Sequence, residues 1–231
     1  MEKTQLFFIH FAGGNIYSFR FMYPYLKEFD IISLELPGRG KRVNENLIND
    51  FDTAALDIYH QLKLKRNSAK YIIFGHSMGA SLALRVAGLM EQQQDAPQQI
   101  FVSGNPGPGV RDARNRYLMN HEDFVSELKK MGGVSDDLIN NKELFDFFEP
   151  ILRADFEIAE RNELVSDQPI GTPIYAMMGS DEGRIDEITN WASYTHSEFD
   201  YEIIEGDHFF INNHAAKISN IIKTHDGHLT L

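Results

Sequence analysis

Tyr71-Ile72-Ile73-Phe74-Gly75-His76-Ser77-Met78-Gly79-Ala80-Ser81-Leu82-Ala83-Leu84-Arg85-Val86-Ala87 decides the fold. Residues 71–74 form an unbroken apolar run of strand length, and 80–87 are strong helix formers without a breaker. The five residues between them read Gly-x-Ser-x-Gly, a pattern that alone is weak but gains meaning in this setting. A strand that turns sharply into a helix leaves the central serine exposed at the sheet's edge, while the flanking glycines let strand and helix approach closely. Ser77 is therefore the expected nucleophile. The helix N-terminus behind it would aim the Met78 amide at a developing oxyanion. A plain strand-to-helix turn carrying an incidental serine is the alternative.

Outward from this stretch the same rhythm recurs. Apolar runs lie at 6–11, 31–36, 100–103, 174–178 and 201–204. They are continuous rather than alternating, as in strands covered on both faces of a parallel sheet. Helical patterns at 17–27, 51–64, 78–92, 184–194 and 210–222 separate or follow them. Alternating strands and helices predict an α/β chain with a mostly parallel, doubly wound sheet. One segment departs from it: 105–167 holds no convincing strand. The breaker Asn105-Pro106-Gly107-Pro108-Gly109 opens it, and helices are expected at 121–130 and 141–163, parted by Gly132-Gly133. This segment is expected to be a helical lid inserted into a single domain spanning 1–231, although helices merely packed on the sheet would read alike. The tail 225–231 is expected to fray.

Composition narrows the class. With 231 residues the chain suits one α/β domain, and with no cysteine it holds neither disulfides nor thiolate ligands nor a cysteine nucleophile. Net charge is −12, from 22 basic and 34 acidic residues, which disfavours nucleic acid and anionic membranes as partners. The opening residues lack the features of a secretory signal, and no apolar run reaches membrane-span length. A cytoplasmic monomer without a metal is expected.

A serine nucleophile needs a general base, and that base an orienting carboxylate, in the chain order Ser, acid, His. Of His121, His196, His208, His214, His225 and His228, only His208 follows a strand through a tight turn, Glu205-Gly206-Asp207-His208. The apolar run at 174–178 ends in Gly179-Ser180-Asp181-Glu182-Gly183, which offers Asp181 as the acid. Glu182 is its main competitor. Asp186 and Glu187 fall on the next helix, and Asp207 suits the turn itself. A second oxyanion donor is expected from Phe11-Ala12-Gly13-Gly14-Asn15, specifically the Ala12 amide.

These residues together resemble the external, type II thioesterases of non-ribosomal peptide and polyketide synthases, of the α/β-hydrolase superfamily. Phe11-Ala12-Gly13-Gly14 is similar to that family's oxyanion loop, and Gly75-His76-Ser77-Met78-Gly79-Ala80 to its elbow. Leu34-Glu35-Leu36-Pro37-Gly38-Arg39-Gly40-Lys41-Arg42 resembles its L-P-G-R-G run, and Leu152-Arg153-Ala154-Asp155-Phe156 a lid-helix motif. Gly206-Asp207-His208-Phe209-Phe210 matches the histidine loop, and Trp191 falls where such enzymes carry a tryptophan. The departures are His10, where proline is common, and 105–110, usually more basic. The resemblance implies hydrolysis of acyl groups from the phosphopantetheine arm of acyl or peptidyl carrier proteins, through a Ser77–His208–Asp181 triad and an acyl-enzyme. The pantetheine belongs to the substrate, so no cofactor is implied. Phe147, Phe148 and Phe156 are expected to contact substrate from the lid. Arg111, Arg114 and Arg116, near the lid entrance, are the expected carrier-docking residues. A general carboxylesterase or lipase, or a non-catalytic binding module on a hydrolase scaffold, are the competing readings.

Overall fold

A computed structural model describes residues 2–67, 69–110, 114–134, 136–162, 164 and 168–227, with the side chain of 136 excepted. Six strands, β1 (Gln5–Ile9), β2 (Asp30–Leu34), β3 (Tyr71–His76), β4 (Gln99–Ser103), β5 (Ile174–Gly179) and β6 (Phe199–Ile204), make one sheet in the order β2-β1-β3-β4-β5-β6. Every pairing is parallel. The four inner strands are buried at every residue, whereas β2 and β6, at the two edges, are partly exposed. This explains the unbroken apolar runs: an inner strand of such a sheet has helices on both faces and no side that meets water.

Among the described residues six α-helices accompany the sheet: α1 (Phe51–Lys65), α2 (Met78–Gln92), α3 (His121–Met131), α4 (Asp136–Asn140), α5 (Lys142–Glu160) and α6 (Ala215–His225). Their starts are written locally. Asp50 accepts the Thr53 amide at the head of α1 (2.8 Å), and Asn120 the Asp123 amide at the head of α3 (2.9 Å). Asn141 does the same for Leu144 on α5 (3.1 Å). One apolar core lies under α1 and α2 and includes Ile9, Ile73, Leu82 and Trp191; another lies on the opposite face and includes Phe8, Phe74, Phe101 and Phe210. A third, smaller cluster of Phe124, Leu128, Phe145, Leu152 and Phe156 holds α3 and α5 together above the strand ends.

Several expected helices are shorter or tighter. The pattern at 17–27 is a 3₁₀ helix only over Arg20–Tyr25 and contains Pro24, which lacks an amide proton. The pattern at 184–194 is 3₁₀ throughout Ile185–Tyr194. Its Ile185, Ile188 and Thr189 are β-branched and weak α-formers. The last pattern splits into a 3₁₀ turn at Phe210–Asn212 and α6. α6 runs through His225, whose ring packs on Tyr175 at 4.7 Å, so the expected fraying does not begin there; 228–231 lie outside the described residues. The segment 105–167 holds no strand among its described residues, and α4 within it was not expected.

The chain reaches β2 on one side of β1 and β3 on the other. The C-terminal ends of β1 and β3 therefore flank the point where winding reverses, the usual crevice of an open α/β sheet. The loop after β1 and the turn after β3 face each other there.

Candidate active site

Ser77 stands between β3 and α2 at φ 56°, ψ −116°, one of three described non-glycine residues with positive φ. L-residues avoid this conformation, so the surroundings must impose it. The Ser77 amide donates to Ser103 O at 2.7 Å, and its carbonyl accepts from the Ala80 amide (3.0 Å) and from Asn105 Nδ2 (3.1 Å). A Cβ on Gly79 would strike the backbone carbonyls of Ile9 and His10. Glycine there lets α2 start against the end of β1, which brings the elbow to the loop at 11–15.

His208 Nε2 lies 3.1 Å from Ser77 Oγ, and His208 Nδ1 lies 2.7 Å from Glu182 Oε2. The tautomer that satisfies both contacts carries its proton on Nδ1, donates it to the carboxylate, and presents the Nε2 lone pair to the serine hydroxyl. The carboxylate that meets His208 is thus Glu182, where Asp181 was expected. The bend after β5 closes with the Glu182 amide on Gly179 O (3.1 Å), which returns residue 182 under the strand end. Glu182 Oε1 then accepts the Gly179 amide at 2.8 Å, fixing the carboxylate. Asp181 sits at the outer tip, exposed, and accepts from Ser180 Oγ at 3.0 Å. A Cβ on Gly179 would strike the Asp207 carbonyl, so a bare backbone here lets β5 abut the histidine loop.

Ala12 and Ser77 line one small apolar recess of about 40 Å³, together with Leu128, Met131, Leu152, Phe156 and Phe209. Met78 is the first residue of α2, where a helix amide has no acceptor within its own helix. Unlike Gly13 and Gly14, whose amides donate to Asp155 and to Phe11 O, Ala12 has no hydrogen bond from its amide among the described residues. A larger cavity of about 650 Å³ with mixed polar and apolar walls also opens at Ser77 and His208, past Asn105, Arg114, Glu160 and Asp181. Phe156 borders both spaces.

Of the three lid phenylalanines, only Phe156 reaches these spaces. Phe147 is 51% exposed and packs edge-on against Phe148 (5.3 Å), and neither borders the cavities, because the first half of α5 stands away from the serine. Arg116 is likewise no docking residue. It is buried, pairs with Glu160 at 2.6 Å, and lies over the Phe156 ring, so it ties the segment before α3 to α5 from within. Arg114 is half exposed at the cavity wall and pairs with Glu127 (3.0 Å). Arg111 lies outside the described residues.

Several site residues escaped the sequence reading. Asn105 bonds Ser77 O and Ser81 Oγ, and is itself held by Trp191 Nε1 on its carbonyl (2.8 Å). Its place directly after β4 was the available signal. His76 is fully buried, with Nδ1 on Ser103 Oγ (3.0 Å) and its ring 5.1 Å from that of His208; burial holds its pKa well below the ordinary value. His10 is also buried. Its Nδ1 donates to Phe11 O (2.8 Å) and its Nε2 accepts the Leu36 amide (3.2 Å), tying the loop after β1 to the chain just past β2. Burial, reinforced by the Arg39 charge and opposed by Asp155, lowers its pKa to about 4.

A histidine with a lower pKa in the fold is protonated first in the unfolded chain. Its contribution is intact above pH 6.5 and lost as pH falls towards 4. For His10 alone this amounts to about 3 kcal/mol, from 1.36 kcal/mol per pH unit. Urea unfolding at pH 7 and pH 4.5 is expected to show this decline, and His10→Gln, which keeps an acceptor but no titration, should lessen it, with the buried His76 carrying a share of what remains. Equal slopes in both proteins would remove His10 as the cause.

The sheet, its winding and the constellation at its strand ends place the chain among the α/β-hydrolases. A family model for the thioesterase domain matches residues 4–226, so the chain belongs to the thioesterase family and is a thioester hydrolase. It is 29% identical to the gramicidin S biosynthesis protein GrsT of Aneurinibacillus migulanus, covering 90% of this chain and 83% of that one. It is also 29% identical to a probable cadicidin biosynthesis thioesterase of Streptomyces griseus, over 91% of this chain but only 59% of that relative. Among solved structures, the RedJ thioesterase of the prodiginine pathway in Streptomyces coelicolor superposes with a TM-score of 0.88 at 27% identity, covering 97% of this chain and 86% of that one. Among the described residues no helix is long and apolar enough to cross a membrane.

Proposed function

We propose that the protein is a type II editing thioesterase, which clears acyl groups from the phosphopantetheine arm of acyl or peptidyl carrier proteins during non-ribosomal peptide or polyketide synthesis. The relatives named for such pathways support the setting. The observation that carries the chemistry is the chain Ser77–His208–Glu182, hydrogen-bonded end to end where a large mixed cavity meets a small apolar recess.

His208 Nε2 takes the Ser77 proton as Oγ attacks the thioester carbon, and Glu182 stabilises the imidazolium that forms. The amides of Ala12 and Met78 hold the tetrahedral oxyanion. His208 then returns the proton to the departing thiol. Water, deprotonated by the same imidazole, hydrolyses the acyl-enzyme and frees the acid. None of these steps draws on a cofactor of the chain's own, because the pantetheine arrives with the substrate. The larger cavity, which offers polar side chains among apolar ones, suits the amide-rich arm, and the narrow recess suits a short acyl group.

The test is a paired hydrolysis assay on purified protein. Short acyl groups on a phosphopantetheinylated carrier protein are expected to turn over better than p-nitrophenyl esters. A preference for the simple esters would move the protein to the general carboxylesterases. No turnover of either substrate would favour a binding module.

A further inference from the structure

We propose that Asp155, on the cover helix α5, and Arg39, in the loop after β2, are positioning residues that set the oxyanion loop from above. This rests on the Ala12 amide being an oxyanion donor. Asp155 Oδ2 accepts the Gly13 amide at 2.7 Å and also pairs with Arg39 Nη1. Its Oδ1 receives Arg39 Nη2 at 2.7 Å, and Arg39 reaches on to Gly14 O at 3.4 Å. Both side chains are almost wholly buried, at 0% and 3% exposure.

One carboxylate therefore holds a loop amide and an arginine that also reaches the same loop, besides donating from Nε to Pro37 O in its own loop (3.4 Å). The Gly13 amide belongs to the peptide group that follows Ala12. Its bond to Asp155, with the turn closed by the Gly14 amide on Phe11 O (2.9 Å), fixes the peptides on either side of the donor. Ala12 is the residue between them whose amide is left for substrate. Leu152, one helical turn before Asp155, seats on the same loop: a Cβ on Gly13 would strike it. Stability alone does not call for a buried ion pair here, since apolar side chains of similar volume commonly do as well. What such side chains lack is an acceptor for the Gly13 amide.

Two variants separate positioning from folding. Asp155→Asn removes the charge, and Arg39→Met with Asp155→Leu replaces the pair by apolar volume while leaving Gly13 without its acceptor. Both are expected to lower kcat on an acyl-pantetheine by about 10- to 100-fold, approaching the effect of losing an oxyanion donor, with KM little changed. Affinity for a boronic acid that mimics the tetrahedral intermediate should fall by a similar factor. The double variant is expected to keep the wild-type melting temperature. Glu91→Gln, which disturbs the carboxylate holding the Gly171 and Thr172 amides at the far end of α2, is the structural control and should keep kcat. A kcat within twofold of wild type in both variants would overturn the proposal. So would a loss confined to KM, or one matched by Glu91→Gln at equal loss of melting temperature. Turnover by wild type against none by Ser77→Ala, in the same preparations, reports separately on the catalytic reading itself.

Discussion

Ser77→Ala is expected to end thioester turnover while leaving the fold intact, with kcat reduced by at least about 10³-fold and towards 10⁶-fold. Among the described residues the hydroxyl is the hydrogen-bond partner of His208 Nε2, and no cysteine exists anywhere in the chain to take over its role. Alanine keeps the φ 56°, ψ −116° conformation and its strain, so the melting temperature should hold. Ser77→Gly should lose activity equally but gain stability of about 1 kcal/mol, because glycine alone adopts this backbone without strain. Acid release measured by single-turnover quench, beside thermal melts of the three proteins, checks both statements. Turnover in Ser77→Ala within tenfold of wild type would remove Ser77 as nucleophile.

Glu182→Gln is expected to cost about 10³- to 10⁴-fold in kcat, the size of effect seen when an orienting carboxylate becomes an amide in a serine triad. The amide can present its NH₂ to His208 and so favour the wrong tautomer, leaving Ser77 with no base. Glu182→Asp should fall between, because a side chain one methylene shorter cannot span both the Gly179 amide and His208 Nδ1. Asp181→Asn, at the exposed tip of the bend, should stay within a few-fold of wild type. The three variants form one experiment, and the reverse ranking of Glu182→Gln and Asp181→Asn would return the role to Asp181.

That pair of adjacent acids marks where the sequence stopped being legible. The four inner strands could be read because strands buried on both faces need unbroken apolar runs. The elbow could be read because a serine flanked by glycines between strand and helix has few other uses. His208 followed from its place after the last strand. Choosing between Asp181 and Glu182 required the path of the bend, which closes through the Glu182 amide on Gly179 O and turns one side chain inward and its neighbour outward. Counting back from such a closure favours the residue that completes the bend, but the closure itself is a product of the fold. Phe147 and Arg116 failed for a related reason. An aromatic on an amphipathic helix and a charge near an entrance carry no record of which way they face. The runs around Arg39 and Asp155 stood out in sequence, yet the two meet only through packing that no local pattern encodes.

The same meeting limits how the cover can be exchanged. An insertion joined to its sheet only by chain ends and apolar contact could be swapped between hydrolases as a cassette, to change what the enzyme accepts. Here α5 lends a carboxylate to Gly13 below it and takes its partner from the loop after β2. A graft that brings a foreign helix must also bring an acid at the Asp155 position, or remove Arg39, or it leaves a guanidinium stranded in the interior. Helix, arginine loop and glycine loop are one bonded unit, though the chain writes them in three separate places.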